Sequence, residues 1–567
     1  MTARKIFGGR TVGQTIVLLL VALLVAPPLW ALIAGAFSEG RPSAGFTFSW
    51  GNLERAFSNP YILHSLLNSV VFAFATSTAV VSLGAFIAWV IERTDSRFSR
   101  YGQVFSLVPI LIPAVTLVSA WIMLLSPRGG MINLAWQATT GSDQPLFDIF
   151  SFPGMVWIAT LQELPLAVLW LWPVFRAMNP DLEEAARVAG AGNSKVLFRI
   201  TLPILRPALL GAWIIFFIYS LGALSVAILI GLPAQIFLFA TEIYVATTRM
   251  PAQYGLASFY SLLFLVVTVV AVGAYYRLIA GSDRFATIRG KAYRPRRASL
   301  GRWRGVVDAA LAFLIVMIAV LPIMILTWNA FMPYPQLPSW QSLGQATLSN
   351  FTSAWNYGPA MRAIWNSLWI GTLAGVTTTL FGAVIAWMRL RQRDPYGLVR
   401  LSEQAAMVPM SVPGMIVGVG LLWFWLAFPI GIYATPWILM LAYIIMHLPY
   451  AVRIASSGIV QLHAELEEAA HVAGADTLRI IRLIVLPLIA PTLVSATVYT
   501  SLRAFREYSA SLFLTSPGTE VFSVVVLDMW QGGNSNVLAA YTVMVMVLLT
   551  ALVSVATLLT RRFGITS

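Results

Sequence analysis

The chain has no cysteine and little charge. Without cysteine there is no disulfide, no thiolate metal site and no thiol nucleophile. Charged residues make up 10% of its 567 positions, against about 25% in soluble domains, so most of the surface must face lipid. Histidine is scarce as well: His64, His447, His463 and His471 complete the set, and none stands in a zinc-type or Ser-His-Asp spacing. No Gly-x-x-x-x-Gly-Lys-Ser/Thr run occurs. Gly190-Ala191-Gly192-Asn193-Ser194-Lys195 is glycine-rich, but its spacing is wrong and no strand precedes it, so the chain lacks this phosphate cradle. A membrane-embedded enzyme finds no convincing catalytic cluster.

What is abundant is apolar: 59% of residues, with a mean hydropathy of +0.80. A bilayer core needs about 20 apolar residues per helix. Such runs lie near 12–37, 64–91, 103–126, 153–176, 206–230 and 255–280, and again near 305–330, 363–388, 402–428, 435–455, 489–514 and 539–560. The first follows Arg4, Lys5 and Arg10. It is too long for a signal-peptide core and is read as a retained first helix. The net charge of +14 would suggest nucleic acid in a soluble protein. Here the basic residues cluster in short loops, as the positive-inside rule expects, and no nucleic-acid partner is implied. With the N-terminus cytoplasmic, Arg41, Arg55, Arg128, Arg249 and Arg362 fall outside and Arg503 and Arg506 within a span. Every other Lys and Arg falls in or beside an inner segment. Both termini are then cytoplasmic.

The expected architecture is an all-α membrane protein of about twelve transmembrane helices, in two parallel six-helix repeats with pseudo-two-fold symmetry. Residues 1–280 and 305–567 form the halves. A linker, 281–304, holds Arg284, Arg289, Lys291, Arg294, Arg296, Arg297, Arg302 and Arg304 and is expected along anionic lipid headgroups. Asn68-Ser69 matches Asn366-Ser367, Ala88-Trp89 matches Ala386-Trp387, and Val108-Pro109 with Pro113 matches Val408-Pro409 with Pro413.

The plainest repeat is polar. Asp181-Leu182-Glu183-Glu184-Ala185-Ala186-Arg187-Val188-Ala189-Gly190-Ala191 runs on to Ile200-Thr201-Leu202-Pro203. Glu465-Leu466-Glu467-Glu468-Ala469-Ala470-His471-Val472-Ala473-Gly474-Ala475 runs on to Ile484-Val485-Leu486-Pro487. These loops, about 177–205 and 456–488, read as short helices. Asp181 with Glu184 resembles a capping box and Glu465 with Glu468 a weaker one. Gly190 and Gly474 provide left-handed ends. Lys195 and Arg199, and Arg479 and Arg482, follow on a second amphipathic segment. Small residues between charges suit close approach of another protein, so the pair reads as one docking surface made twice.

Glu-Ala-Ala, three residues, Gly, nine residues and Ile-x-Leu-Pro resembles the signature of permease subunits of binding-protein-dependent ABC importers, and both copies match in full. The resemblance implies a coupling helix in each loop, with Glu184, Ala185, Ala186 and Gly190, and Glu468, Ala469, Ala470 and Gly474, seated on cytoplasmic ATPase subunits. It further implies two copies of that ATPase, which carry ATP and Mg, and a periplasmic or lipid-anchored solute-binding protein. That protein would dock near 38–62, 127–152, 231–254, 331–362 and 515–538. The location implied is a bacterial inner membrane. Two fused halves resemble the ferric-iron-type permeases, as does Phe505-Arg506-Glu507-Tyr508-Ser509-Ala510-Ser511-Leu512-Phe513-Leu514. The first half departs there, with Tyr219-Ser220-Leu221-Gly222-Ala223-Leu224-Ser225 and no acidic residue, which leaves thiamine, polyamine and aminophosphonate permeases as alternatives. A stand-alone secondary transporter also has twelve helices in two halves, but would not need duplicated docking loops.

Ionisable groups inside a bilayer need a reason, since each costs about 2.5–3.5 kcal/mol at the centre. Glu163 and His447 each stand 21 residues before the second glutamate of their own docking motif (Glu184, Glu468), and each precedes Leu-Pro. They are pseudo-symmetric candidates to line the translocation pathway, or to fix helix packing. Arg503, Arg506 and Glu507 are further pathway candidates; Arg503 and Glu507, spaced i,i+4, could pair along one helix face. No metal site is expected in this chain.

Overall fold

Lipid offers no hydrogen bonds, so an apolar chain must satisfy its backbone within helices. The computed structural model describes residues 2–100, 112–178, 181–279 and 297–562. Among these residues it contains helices, turns and two isolated β-bridges, and no strand. The first half holds α1 (Thr2–Ala36), α2 (Ile62–Arg93), α3 (Ala114–Leu125), α4 (Phe152–Ala177), α5 (Asp181–Val188), α6 (Leu202–Leu221), α7 (Phe239–Thr248) and α8 (Tyr254–Ile279). The second opens with α9 (Gly301–Phe331). It continues with α10 (Gly358–Arg391), α11 (Leu398–Met407), α12 (Gly414–Ala427), α13 (Pro436–Val460), α14 (Ala464–Val472), α15 (Leu486–Phe505), α16 (Phe522–Gln531) and α17 (Ser535–Arg562).

Among the described residues, 10 helices are long and apolar enough to cross a membrane. The third run of the second half differs from the straight span expected. It breaks between the segments Leu398–Ser411 and Gly414–Ala427, which meet at 107°. Proline explains the break: Pro413 precedes α12 with extended backbone (φ −54°, ψ 141°), as Pro113 precedes α3 (φ −63°, ψ 152°). The chain before Ile112, including Val108-Pro109, lies outside the described residues, as does the linker up to residue 296.

Three Leu-Pro pairs lie inside continuous helices. A five-residue π turn precedes Leu202-Pro203, Leu321-Pro322 and Leu486-Pro487 in each case, and the helix then continues. Proline has no N–H and crowds the carbonyl four residues back, and a widened turn relieves both.

Matched residues do matched work. Ser69 accepts from the Phe239 N–H at 2.7 Å, and Ser367 from the Phe522 N–H at 2.8 Å, fixing the first residues of α7 and α16. Buried Asn52 donates to the carbonyls of Ala36 (3.2 Å) and Ser38 (2.8 Å) at the end of α1; Asn350 does the same for Ala330 (3.1 Å) and Met332 (2.7 Å) at the end of α9. Carbonyls at a helix end have no intrahelical donor, so each asparagine replaces a missing cap.

The two halves are interlocked. Val17, Val21 and Val25 of α1 pack with Ile385, Ala406, Leu448 and Val452 of the second half, and the Trp30 ring meets Trp423 edge-on at 6.2 Å. In the other direction, Asn329 of α9 reaches Met123 of α3. The described end of the linker is held by protein: the Ala298 N–H donates to the Arg93 carbonyl at 2.8 Å, and the Leu300 N–H to Asp95 at 2.9 Å.

Candidate functional site

The duplicated loops form α5 and α14. Each ends with its glycine left-handed (φ +84° at both Gly190 and Gly474), where a side chain would be strained. The Ala191 N–H reaches back to the Ala186 carbonyl at 2.9 Å, and Ala475 to Ala470 at 3.0 Å, closing both ends alike. The weaker capping box does not form: α14 begins at Ala464, after His463, with no side-chain cap.

What anchors the helices was missed in the sequence. It is the first glutamate of each pair, Glu183 and Glu467, that turns inward, to 1% and 8% exposure. Arg93, the last residue of α2, lies 3.6 Å from Glu183 and donates to the carbonyls of Phe175 and Met178, both at 2.7 Å. Thr201 donates to Glu183 at 2.5 Å. Arg391, the last residue of α10, donates to Glu467 at 2.7 Å and to the carbonyls of Ile459 (3.2 Å) and Leu462 (2.7 Å); Trp387 adds a bond to Glu467 at 3.2 Å. A buried charge without its partner is strongly unfavourable, so each docking helix is tied to its own half. The available signal was Arg93 and Arg391, matched at the ends of the second spans.

The residues named from the motif lie on the outside. Ala185, Ala469 and Glu468 are exposed, Glu184, Ala186 and Ala470 partly so, and Gly190 and Gly474 exposed. Val188 and Val472 are both 90% exposed, beside exposed Leu182 and Leu466. The same small apolar surface is therefore presented twice.

The predicted pathway residues converge on a different place. Glu163 (α4), Arg503 (α15), Arg506 and Glu507 line a cavity of about 230 Å³. His447 (α13) lines an adjoining space of about 160 Å³, with Glu163, Arg503 and Glu507 again in its wall. His447 is buried, and neither ring nitrogen has a partner among the described residues. The expected Arg503–Glu507 pair is absent because α15 ends at Phe505. Beyond that end Glu507 turns aside to accept from Ser509 Oγ (2.8 Å) and the Ala510 N–H (2.7 Å). Helices α4 and α13 run toward the docking helices, and α6 and α15 run away from them. The cavity residues nearest the docking side are accordingly Tyr219 beside Ile218 on α6, Tyr450 on α13 and Tyr499 on α15. The Tyr219 and Tyr450 hydroxyls are hydrogen-bonded across the two halves. The Arg503 guanidinium lies over both rings, at 5.8 and 5.7 Å, and the Tyr499 ring is 6.1 Å from Tyr450. Tyrosines so placed join the two halves at the cavity wall, with arginine held by ring faces. Among apolar neighbours they gave no sequence signal of their own.

The family described as binding-protein-dependent transport system inner membrane component matches residues 80–282 and again 398–565. The chain belongs to this family. It is an ABC importer permease subunit carrying two fused permease halves, a multi-pass inner-membrane protein. The permease is 26% identical over 541 residues to the ferric transport system permease protein FbpB of Actinobacillus pleuropneumoniae, covering 95% of this chain and 76% of that protein. It is 26% identical over 272 residues to the putative 2-aminoethylphosphonate transport system permease protein PhnV of Salmonella typhimurium, covering 47% of this chain and 97% of that one. Among solved structures, a bacterial ABC transporter involved in import of the acidic polysaccharide alginate aligns with TM-score 0.39 and 20% identity, over 47% of this chain and 96% of that one.

Proposed function

We propose that this permease carries ferric iron inward, from an external solute-binding protein to the cytoplasm, driven by two identical ATPase subunits. The carrying observation is the duplicate surface of α5 and α14, with Val188 and Val472 equally exposed. Two copies of one surface suit two copies of one partner, so a homodimeric ATPase is expected, with ATP and Mg bound there. The distribution of Lys and Arg supports cytoplasmic termini and docking helices. The solute-binding protein then meets the opposite face.

Iron is supported by the ferric permease relative that extends over 95% of this chain, where the aminophosphonate relative extends over 47%. Residues bet on for the path are Glu163, His447, Arg503, Arg506 and Glu507, which share one cavity wall or its neighbour. The test is uptake into proteoliposomes holding the chain, its ATPase and its binding protein. Labelled ferric iron and 2-aminoethylphosphonate are supplied separately. ATP-dependent uptake of iron alone supports the reading; uptake of the phosphonate without iron overturns the substrate and leaves the importer.

A further inference from the structure

We propose that the central cavity contains a binding site for an anionic oxygen group on the solute, formed by Arg503 and Arg506. The proposal rests on the importer reading above and adds the chemical class of what the pathway admits.

Neither arginine meets a carboxylate. Among the described residues Arg503 forms no hydrogen bond and no ion pair within 4 Å; its neighbours are the faces of Tyr219 and Tyr450. Arg506 donates through Nη2 to the Ile112 carbonyl at 2.8 Å, while its buried Nε has no partner. Of the two glutamates in the wall, Glu507 is occupied by Ser509 and Ala510. Glu163 interacts electrostatically with both arginines but forms no hydrogen bond or ion pair within 4 Å among the described residues. A guanidinium inside the bilayer is costly unless something compensates it. Two guanidiniums in one cavity, neither with a carboxylate partner, fit a counter-charge that arrives with the solute.

Two helix starts act in the same direction. Helices α3 and α12 both begin at the cavity wall, at Ala114 and Gly414, and neither start is capped by a side chain. The first turn of a helix leaves N–H groups without intrahelical acceptors and carries positive partial charge. One such start comes from each half, and Arg506 is bonded to the residue just before Pro113. The two guanidiniums and two helix starts together offer donors to carboxylate, phosphate or phosphonate, which arginine binds through two parallel N–H groups. Glu163, in the wall of the same cavity, offers a carboxylate to a cationic or metal centre on the same solute.

The test is direct binding to the chain purified in a maltoside detergent, which contains no phosphorus. Methylphosphonate is the probe, read by its ³¹P line width. Saturable broadening is expected, displaced by acetate and not by tetramethylammonium chloride at equal ionic strength. Arg503→Gln and Arg506→Gln should each weaken it at least tenfold, and Arg503→Lys, which keeps the charge but not the paired N–H groups, should weaken it less than Arg503→Gln. Absence of saturable broadening with the unaltered chain overturns the proposal, whatever the variants do. So does broadening that both Gln variants leave unchanged. No ATPase is present, so a negative result leaves the importer reading standing; that reading fails separately, by loss of the ATP requirement for uptake.

Discussion

Tyr219 of the first half and Tyr450 of the second share a hydrogen bond between their hydroxyls, at the end of the central cavity that faces the docking helices. This contact joins the halves, and passage of solute between them at this point requires it to part. The chain contains no cysteine, so thiols can be placed there without background. Two tyrosines that meet at their tips have backbones too far apart for a direct disulfide, which needs Cα atoms within about 7 Å. In Tyr219→Cys/Tyr450→Cys, a bifunctional thiol reagent about 10 Å long is expected to join the halves and abolish transport. The yield should be highest in the vanadate-trapped state, where the cavity opens away from the docking side, and fall several-fold without nucleotide. An unchanged yield without nucleotide argues that the tyrosines stay together through the cycle.

The buried anchors of the docking helices should be stability elements. Arg93→Met leaves buried Glu183 with only the part-exposed Arg187, at 3.8 Å, and strips donors from the Phe175 and Met178 carbonyls. A loss of about 3–5 kcal/mol is expected, as for other broken buried pairs. Thr201→Val, which removes one hydrogen bond to Glu183, should cost about 1.5–3 kcal/mol. Thermal unfolding in detergent checks both, and equal effects would contradict the ranking.

Val188 and Val472 should behave in the opposite way. Each is 90% exposed, so Val188→Glu and Val472→Glu should change stability by about 0.5 kcal/mol or less. Each should nevertheless weaken ATPase association at least tenfold. Co-purification of the ATPase reads this, and full retention by the double variant would remove these side chains from the docking surface.

One ion pair gives a pH signature. Glu520 lies in the loop before α16. Desolvation raises its pKa, but hydrogen bonds from Arg362 and the Gly518 N–H outweigh that and hold it below the ordinary 4.5. Arg362 donates to it at 2.8 and 3.1 Å. A carboxylate with a depressed folded pKa stabilises the protein above its unfolded pKa, and that contribution is lost as pH falls through the folded value. The melting temperature of Glu520→Gln should therefore lie below that of the unaltered chain at pH 7. The gap should narrow below pH ~4.5. A gap independent of pH would point to packing instead.

Sequence and structure agree where the repeat is written twice. Glu163 and His447 stand at equal distances from their docking motifs, and both reach the cavity region because the two halves fold alike. Ser69 and Ser367 were visible only as a match; their work, holding the first residues of α7 and α16, needs three-dimensional contact. The break at Pro413 was hidden because apolar residues continue through it. Hydropathy also carried the eleventh span past Phe505, where the helix in fact ends and Glu507 leaves Arg503. The packing of α1 on the second half was illegible, since chain order does not say which neighbour a lipid-facing helix takes.

The central claim is that ATP hydrolysis on separate subunits drives solute through this chain by way of α5 and α14. Its most direct test is accumulation of ferric iron in proteoliposomes containing the chain, its ATPase and its binding protein. The drive is either ATP or an imposed proton gradient, and Glu184→Ala/Glu468→Ala is run alongside. The account predicts accumulation with ATP, none with the gradient alone, and at least a tenfold loss in the double variant. Accumulation on the gradient without the ATPase would contradict it and place the protein among secondary transporters.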